Sequence, residues 1–120
     1  MIRVILVDDN PDFREWLRAL LDGSAQFQVV GEAASGDEAT DLVARLRPTL
    51  VIVDLFLGDA SGLDVVRTIH AGFPEIESIV ISIDEEGIYE TLAREAGALA
   101  FIPKARLSLE AINRALTGNG

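Results

Sequence analysis

Along the chain, apolar positions alternate between two periods. Five short runs, Ile2–Val7, Phe27–Val30, Leu50–Val53, Ile79–Ile83 and Ala98–Ile102, have the length and the β-branched content of strands. Three of them are apolar nearly throughout, as strands covered on both faces are. Between the runs the period lengthens to that of a helix. Phe13, Trp16, Leu17, Leu20 and Leu21 recur at i, i+3, i+4, i+7 and i+8. Asn10 precedes them as an N-cap, Pro11 suits the first turn and Gly23 is a stop. Ser35 and Glu38 form a capping box ahead of Ala39, Leu42, Val43 and Leu46, and Pro48 blocks continuation. A third helix is expected from about Ser61 to Ala71, closed by Gly72-Phe73-Pro74. A fourth is expected from about Glu86 to Ala96, with Gly97 as its stop. Ser108 caps a fifth, with Leu107 and Ile112 placed to staple its first turn.

Five strands alternating with five helices predict an α/β domain. Right-handed βαβ units would build one parallel sheet with helices on both faces. One domain covers residues 1–120, without internal repeat or low-complexity tract. The terminal Thr117-Gly118-Asn119-Gly120 reads as a frayed end or a cut linker.

Composition narrows the function classes. The chain has no cysteine, which excludes disulfides, thiolate metal sites and thiol catalysis. No apolar run approaches the roughly 20 residues of a bilayer span, and the start does not read as a secretory signal. A cytoplasmic protein is expected. With 20 acidic and 10 basic residues the formal net charge is −10, which repels nucleic-acid phosphates and anionic lipid alike. Direct nucleic-acid binding and membrane binding are therefore not expected of this domain. Most of the carboxylates read as a solvated surface.

A few do not. Asp8 and Asp9 follow the first strand, Asp54 ends the third, Ser82 ends the fourth and Lys104 follows the fifth. In a parallel sheet all strands end on one edge, where open α/β sheets bind ligands. Three carboxylates, one hydroxyl and one ammonium would therefore share a rim. Taken singly, each has an ordinary structural explanation: a capping acid, a backbone-bonded hydroxyl, a solvated lysine. Asp54 is the hardest to explain so, because it interrupts the most apolar stretch of the chain. Three clustered carboxylates repel strongly in a partly dry cleft. A hard divalent cation with oxygen ligands, Mg2+ above all, would resolve that repulsion. Asp54 would then be a nucleophile or a ligand, and Lys104 and Ser82 would hold an anion's oxygens.

These residues in this order resemble the receiver domain of a two-component response regulator, over essentially the whole chain. The stretches "VDDNPDFREWLRALL" and "VVGEAASGDEA" are similar to the NarL/FixJ subfamily, whose receivers usually precede a DNA-binding helix-turn-helix. The resemblance implies a CheY-like, flavodoxin-like (βα)5 fold with strand order 2-1-3-4-5. It implies that Asp54 accepts a phosphoryl group from a sensor histidine kinase or phosphotransfer protein. Asp9 and Asp54 would ligate Mg2+ directly with the backbone carbonyl of Phe56, and Asp8 would act through metal-bound water. Lys104 would pair with the phosphoryl group, Ser82 would hydrogen-bond it, and Phe101 would be the aromatic switch. The face of the fourth helix, fifth strand and fifth helix would carry output or homodimer contacts; Ile88 and Tyr89 would either lie on it or serve ordinary packing. The output expected is transcription, through a DNA-binding domain outside this chain. The domain would catalyse only its own phosphorylation and dephosphorylation.

The chain departs from the family pattern at several positions. Gly58 stands where a proline is usual, Ala105 follows Lys104 where many receivers have proline, and Ile83 is bulkier than the residue often found there. Phe56 and Asp84 flank the site. The alternative is a pseudo-receiver that binds partners without phosphorylation. A metal-dependent phosphatase would carry D-x-D after the first strand, and a nucleotide carrier would carry a glycine-rich phosphate loop; neither is present. Trp16 is expected to pack in the core, and His70, without a companion, to lie on the surface.

Overall fold

Apolar strands satisfy their backbone groups by pairing, and a residue's parity along the strand decides which face it covers. The computed structural model describes residues 1–58 and 60–118. Among these, β1 (Ile2–Val7), β2 (Phe27–Ala33), β3 (Leu50–Asp54), β6 (Glu77–Ser82) and β7 (Ala100–Pro103) form one sheet, ordered β2-β1-β3-β6-β7. Every pair in it is parallel. Counting only these strands the order is 2-1-3-4-5, the flavodoxin-like arrangement. The helices α1 (Pro11–Asp22), α2 (Gly36–Leu46), α3 (Gly62–Gly72), α4 (Gly87–Ala96) and α5 (Leu109–Thr117) connect or follow the strands.

Parity splits the core in two. Ile5, Val7, Val51, Val53 and Val80 point to the layer of α2, α3 and α4, against Ala39, Val43, Val66, Ile69 and Ala93. Their neighbours Val4, Leu6, Leu50, Ile52, Ile79 and Ile81 point the other way, onto Leu17 and Leu21 of α1 and Ile112 of α5. Both faces of the central strands are covered, which is why β1, β3 and β6 read as continuous apolar runs.

Some expected boundaries move. β2 runs three residues past Val30, because Gly31, Glu32 and Ala33 pair with Ile5, Leu6 and Val7 after a register shift. β6 starts at Glu77, opposite Leu50, and ends at Ser82. Ile83 lies outside the strand and is 81% exposed. β7 is Ala100–Pro103 rather than Ala98–Ile102, since its neighbour pairs Ile79 with Ala100 and Ser82 with Pro103. Pairing partners, not apolar content, set these ends.

Trp16 is not a core residue. It is 47% exposed, and its ring lies tilted against Phe13 with centroids 5.5 Å apart. One residue before Leu17, it stands about 100° around the helix from the stripe that Leu17 and Leu21 bury. His70 is exposed as expected. A short antiparallel hairpin, β4 (Phe56–Leu57) with β5 (Ala60–Ser61), follows Asp54. Two residues a side are too few for any periodicity to show. Of the terminal residues read as a frayed end, Thr117 closes α5 and Gly118 caps it in a left-handed conformation. Asn119 and Gly120 lie outside the described residues.

Candidate functional site

The C-terminal rim of the sheet brings Asp8, Asp9, Asp54, Ser82 and Lys104 to one edge. Asp54 is the last residue of β3 and Ser82 the last of β6; Asp8 follows β1 directly. Lys104 follows β7 and opens a 3-10 turn, Lys104–Arg106, which aims it back over the rim. Asp8, Asp54 and Ser82 are buried, whereas Asp9 is exposed. Asp8, Asp9, Asp54, Phe56, Ile83 and Lys104 line a shared open cavity of about 310 Å³. A larger groove of about 390 Å³ between α2 and α3 is lined by none of Asp8, Asp9, Asp54, Ser82 and Lys104.

The Lys104 ammonium ties two of the acids together. Its Nζ is 2.9 Å from Asp8 Oδ2 and 3.2 Å from Asp54 Oδ2. The other carboxylate oxygens are held by backbone donors. Asn10 N–H donates to Asp8 Oδ1 at 2.9 Å, and Phe56 N–H donates to Asp54 Oδ1 at 3.3 Å. Burial pushes the Asp54 carboxyl above its ordinary value, and the neighbouring Asp8 charge adds to this. Lys104 and the Phe56 N–H act against the shift without cancelling it. Burial acts to lower the pKa of the Lys104 ammonium, but Asp8 and Asp54 outweigh it and hold that pKa above the usual lysine range.

The donor set fits a hard cation. One oxygen from each of Asp8, Asp9 and Asp54 lies within 4.8 Å of the others, and the single ammonium cannot neutralise three carboxylates. Among the described residues Asp8 Oδ2 is buried and takes no aligned hydrogen bond, although the Lys104 ammonium stands 2.9 Å from it. Asp9 makes no hydrogen bond or ion pair among the described residues. Unsatisfied hard oxygens arranged so are what Mg2+ takes as ligands. Gly58 approaches this cluster with φ +64, a left-handed conformation that a proline ring cannot adopt. A Cβ there would stand 3.8 Å from Asp9 Oδ2. The glycine thus specifies the turn of the hairpin beside the acids.

Ser82 Oγ accepts a hydrogen bond from Asp84 N–H at 3.0 Å, which leaves its own proton free to donate elsewhere. Phe101, on β7 opposite Val80, is half-buried against the core layer of α2, α3 and α4. Phe56 packs edge-on against Tyr89 of α4, with centroids 5.8 Å apart and planes at 86°.

Three neighbours of the site were not legible as such. Asn10 both caps α1 and donates to Asp8. Arg14 donates to the Asp8 carbonyl and pairs with Glu32 at 3.2 Å. Phe13 lies under Lys104, with Nζ 3.9 Å from the ring centroid. All three belong to the N-cap or first turn of α1, directly after the acids, and that proximity is the signal that could have found them.

The family described as the response regulator receiver domain matches residues 4–116. The chain is 35% identical over 109 residues to a protein-glutamate methylesterase/protein-glutamine glutaminase of Pyrococcus abyssi, covering 90% of this chain and 30% of that protein. It is 32% identical over 112 residues to the transcriptional regulatory protein LiaR of Bacillus subtilis, covering 92% and 52%. The chain thus spans about a third to a half of the length of these relatives. Among solved structures, a LuxR-family two-component response regulator from Aurantimonas sp. SI85-9A1 superposes with a TM-score of 0.90 at 31% identity, covering 98% of this chain and 86% of that one. The receiver domain of the putative response regulator NarL from Mycobacterium tuberculosis gives a TM-score of 0.88 at 27% identity, covering 98% and 95%.

Proposed function

We propose, for a chain that belongs to the response regulator receiver domain family, that Asp54 is its phosphoacceptor and that the rim around it performs the transfer. The observation that carries this reading is the placement of Asp54. It is the one carboxylate that ends the central, fully buried strand, and it faces both an ammonium and a second acid in an open cavity.

The chemistry follows from the groups at hand. A carboxylate oxygen of Asp54 attacks the phosphorus of a donor such as a phosphohistidine. The donor's nitrogen–phosphorus bond breaks as the new oxygen–phosphorus bond forms, and the imidazole leaves with the electron pair. Lys104 is already within 3.2 Å of Asp54 and neutralises charge on the transferred group. The Phe56 N–H fixes the Asp54 carboxylate in place. Asp9, Asp54 and the Phe56 carbonyl would hold Mg2+, with Asp8 acting through its water. The ion supplies positive charge that screens these carboxylates from an incoming anion.

After transfer, the Ser82 hydroxyl donates its free proton to the phosphoryl group, because a charge-assisted hydrogen bond is stronger than a neutral one. Phe101 then turns into the space vacated, and the face of α4, β7 and α5 changes. That face carries the output and the homodimer contacts. The partners are a sensor histidine kinase or phosphotransfer protein, and the output is transcription through a DNA-binding domain outside this chain. The domain acts on no substrate but its own aspartate. Among the described residues no helix is long and apolar enough to cross a membrane.

Incubation with acetyl phosphate and Mg2+ should add one phosphoryl mass, and Asp54→Asn should abolish it. Modification persisting in that variant would move the assignment to Asp8 or Asp9. Amide shifts at Asp9 and Asp54 unmoved by millimolar Mg2+ would overturn the metal site. Ser82→Ala should still accept phosphate while losing the shifts that beryllofluoride induces across residues 86–116; equal shifts would overturn the hydroxyl–aromatic switch.

A further inference from the structure

The Lys104 ammonium has three N–H donors and three close neighbours. Two are the carboxylate oxygens of Asp8 and Asp54, at 2.9 and 3.2 Å. The third is not polar. It is the face of the Phe13 ring, whose centroid lies 3.9 Å from Nζ. At that distance the negative face of the ring attracts the cation, and the attraction strengthens as water is excluded. The Lys104 side chain is largely buried, so the ring takes a place that water would otherwise occupy.

Packing alone does not require an aromatic at this position. Phe13 stands four residues before Leu17 on the inner stripe of α1, where any large apolar side chain would serve. What only a ring provides is a flat, electron-rich seat for an ammonium. The seat is itself immobilised. Asn10 Oδ1 accepts from Phe13 N–H at 3.2 Å, Pro11 starts the helix, and the Trp16 ring backs Phe13 at 5.5 Å.

We propose that Phe13 is a positioning residue for Lys104: its ring face seats the ammonium beside Asp54, in reach of the oxygens of a phosphoryl group carried there. The inference rests on the phosphoacceptor reading of Asp54. Without the seat the ammonium keeps its two carboxylates but loses the contact on its third side, so its placement toward an incoming anion is less ordered.

Two measurements on the intact domain test it. Protons of the Lys104 side-chain end, lying over a ring face, should resonate upfield, and Phe13→Leu should return them to ordinary shifts. Beryllofluoride, titrated with Mg2+ present, should bind Phe13→Leu about fivefold more weakly than the parent. Phe13→Tyr should restore affinity. Trifluorophenylalanine placed at position 13 keeps the shape and weakens the ring's negative face, so it should fall between Leu and Phe. Lys104 shifts unchanged in Phe13→Leu would overturn the contact. Trifluorophenylalanine matching Phe while Leu binds weakly would overturn the role of the ring face, since shape would then suffice. If the parent domain binds no beryllofluoride, the phosphoacceptor reading fails, and the Lys104 shifts still decide whether Phe13 seats the ammonium.

Discussion

Two helices flank the acidic rim, and they are anchored in unlike ways. α1 begins with a full set of devices. Pro11 occupies its first turn, and the Asn10 side chain accepts from Asp12 N–H and Phe13 N–H. It buries Leu17 and Leu21, and Arg14 ties it to Glu32 and to the Asp8 carbonyl. α4 has little of this. Its N-cap, Glu86, makes no side-chain cap bond, its buried residues are Ala93 and Ala96, and Ile88 in its first turn is 54% exposed. Small buried side chains and an uncapped start mean low local stability, and moving elements are drawn from that end of the range. The same sheet edge therefore has one stiff wall and one loose wall. The stiff wall seats Lys104; the loose wall is the one placed to respond when the charge at Asp54 changes.

The most severe way to break this contrast is to displace the floor beneath both walls. A Cβ on Gly62 would stand 2.0 Å from the Asp54 carbonyl oxygen, a backbone atom with nowhere to go. Gly62→Ala should cost about 4 kcal/mol in urea unfolding and remove phosphorylation as well. Native-like stability would mean that α3 does not start against β3 as described.

Removing the ammonium comes next. Lys104→Met leaves Asp8 and Asp54 buried and unpaired, which should cost about 3 kcal/mol at pH 7 without Mg2+. Because the folded-state pKa of Lys104 is raised, its contribution is full below the ordinary value of 10.5 and is lost as pH rises through the folded value. Millimolar Mg2+ should recover part of the loss, and a variant as stable as the parent across this range would show that the ion pair is not formed.

The capping contrast itself is sharpened by a matched pair. Asn10→Ala should destabilise by about 1 kcal/mol, the usual value of a bonded N-cap. Glu86→Ala should stay within about 0.5 kcal/mol, because there is no cap bond to lose. Equal costs would erase the distinction between the walls.

The smallest effect concerns the sign at Asp54. Its folded-state pKa is raised above the ordinary 3.8, so its ionisation opposes folding increasingly above 3.8 and fully above the folded value. Without Mg2+, Asp54→Asn should therefore melt slightly higher than the parent at pH 7. The gain should shrink as pH falls through the folded value and vanish below 3.8. A lower melting temperature at pH 7 would mean that Lys104, not burial, dominates the Asp54 environment.

Much of this molecule is legible in its sequence. The alternation of strand and helix periods, the caps at Asn10, Ser35 and Ser108, and the stop at Gly97 all rest on local rules, and each appears where local rules put it. Strand ends were less legible. Ile83 has every property of a strand residue, yet it projects past Ser82 because β7 offers no partner beyond Pro103. Trp16 misled for a related reason: its hydrophobicity is intrinsic, but its place on the flank of the α1 stripe depends on where the sheet's covered face stops.

What the chain determined by itself was therefore the set of elements and the residue types at their ends, because caps, stops and periods depend on neighbours a few positions away. The gathering of Asp8, Asp54, Ser82 and Lys104 on one rim also followed once the strands were parallel, since parallel strands end together. Only the tertiary structure decided how those groups face one another. That the Lys104 ammonium lies between Asp8 and Asp54 on the face of Phe13, far away in the chain, depends on the 3-10 turn after β7 and on how α1 crosses the sheet. Such contacts join residues with no local constraint between them, so only the packing of whole elements can specify them.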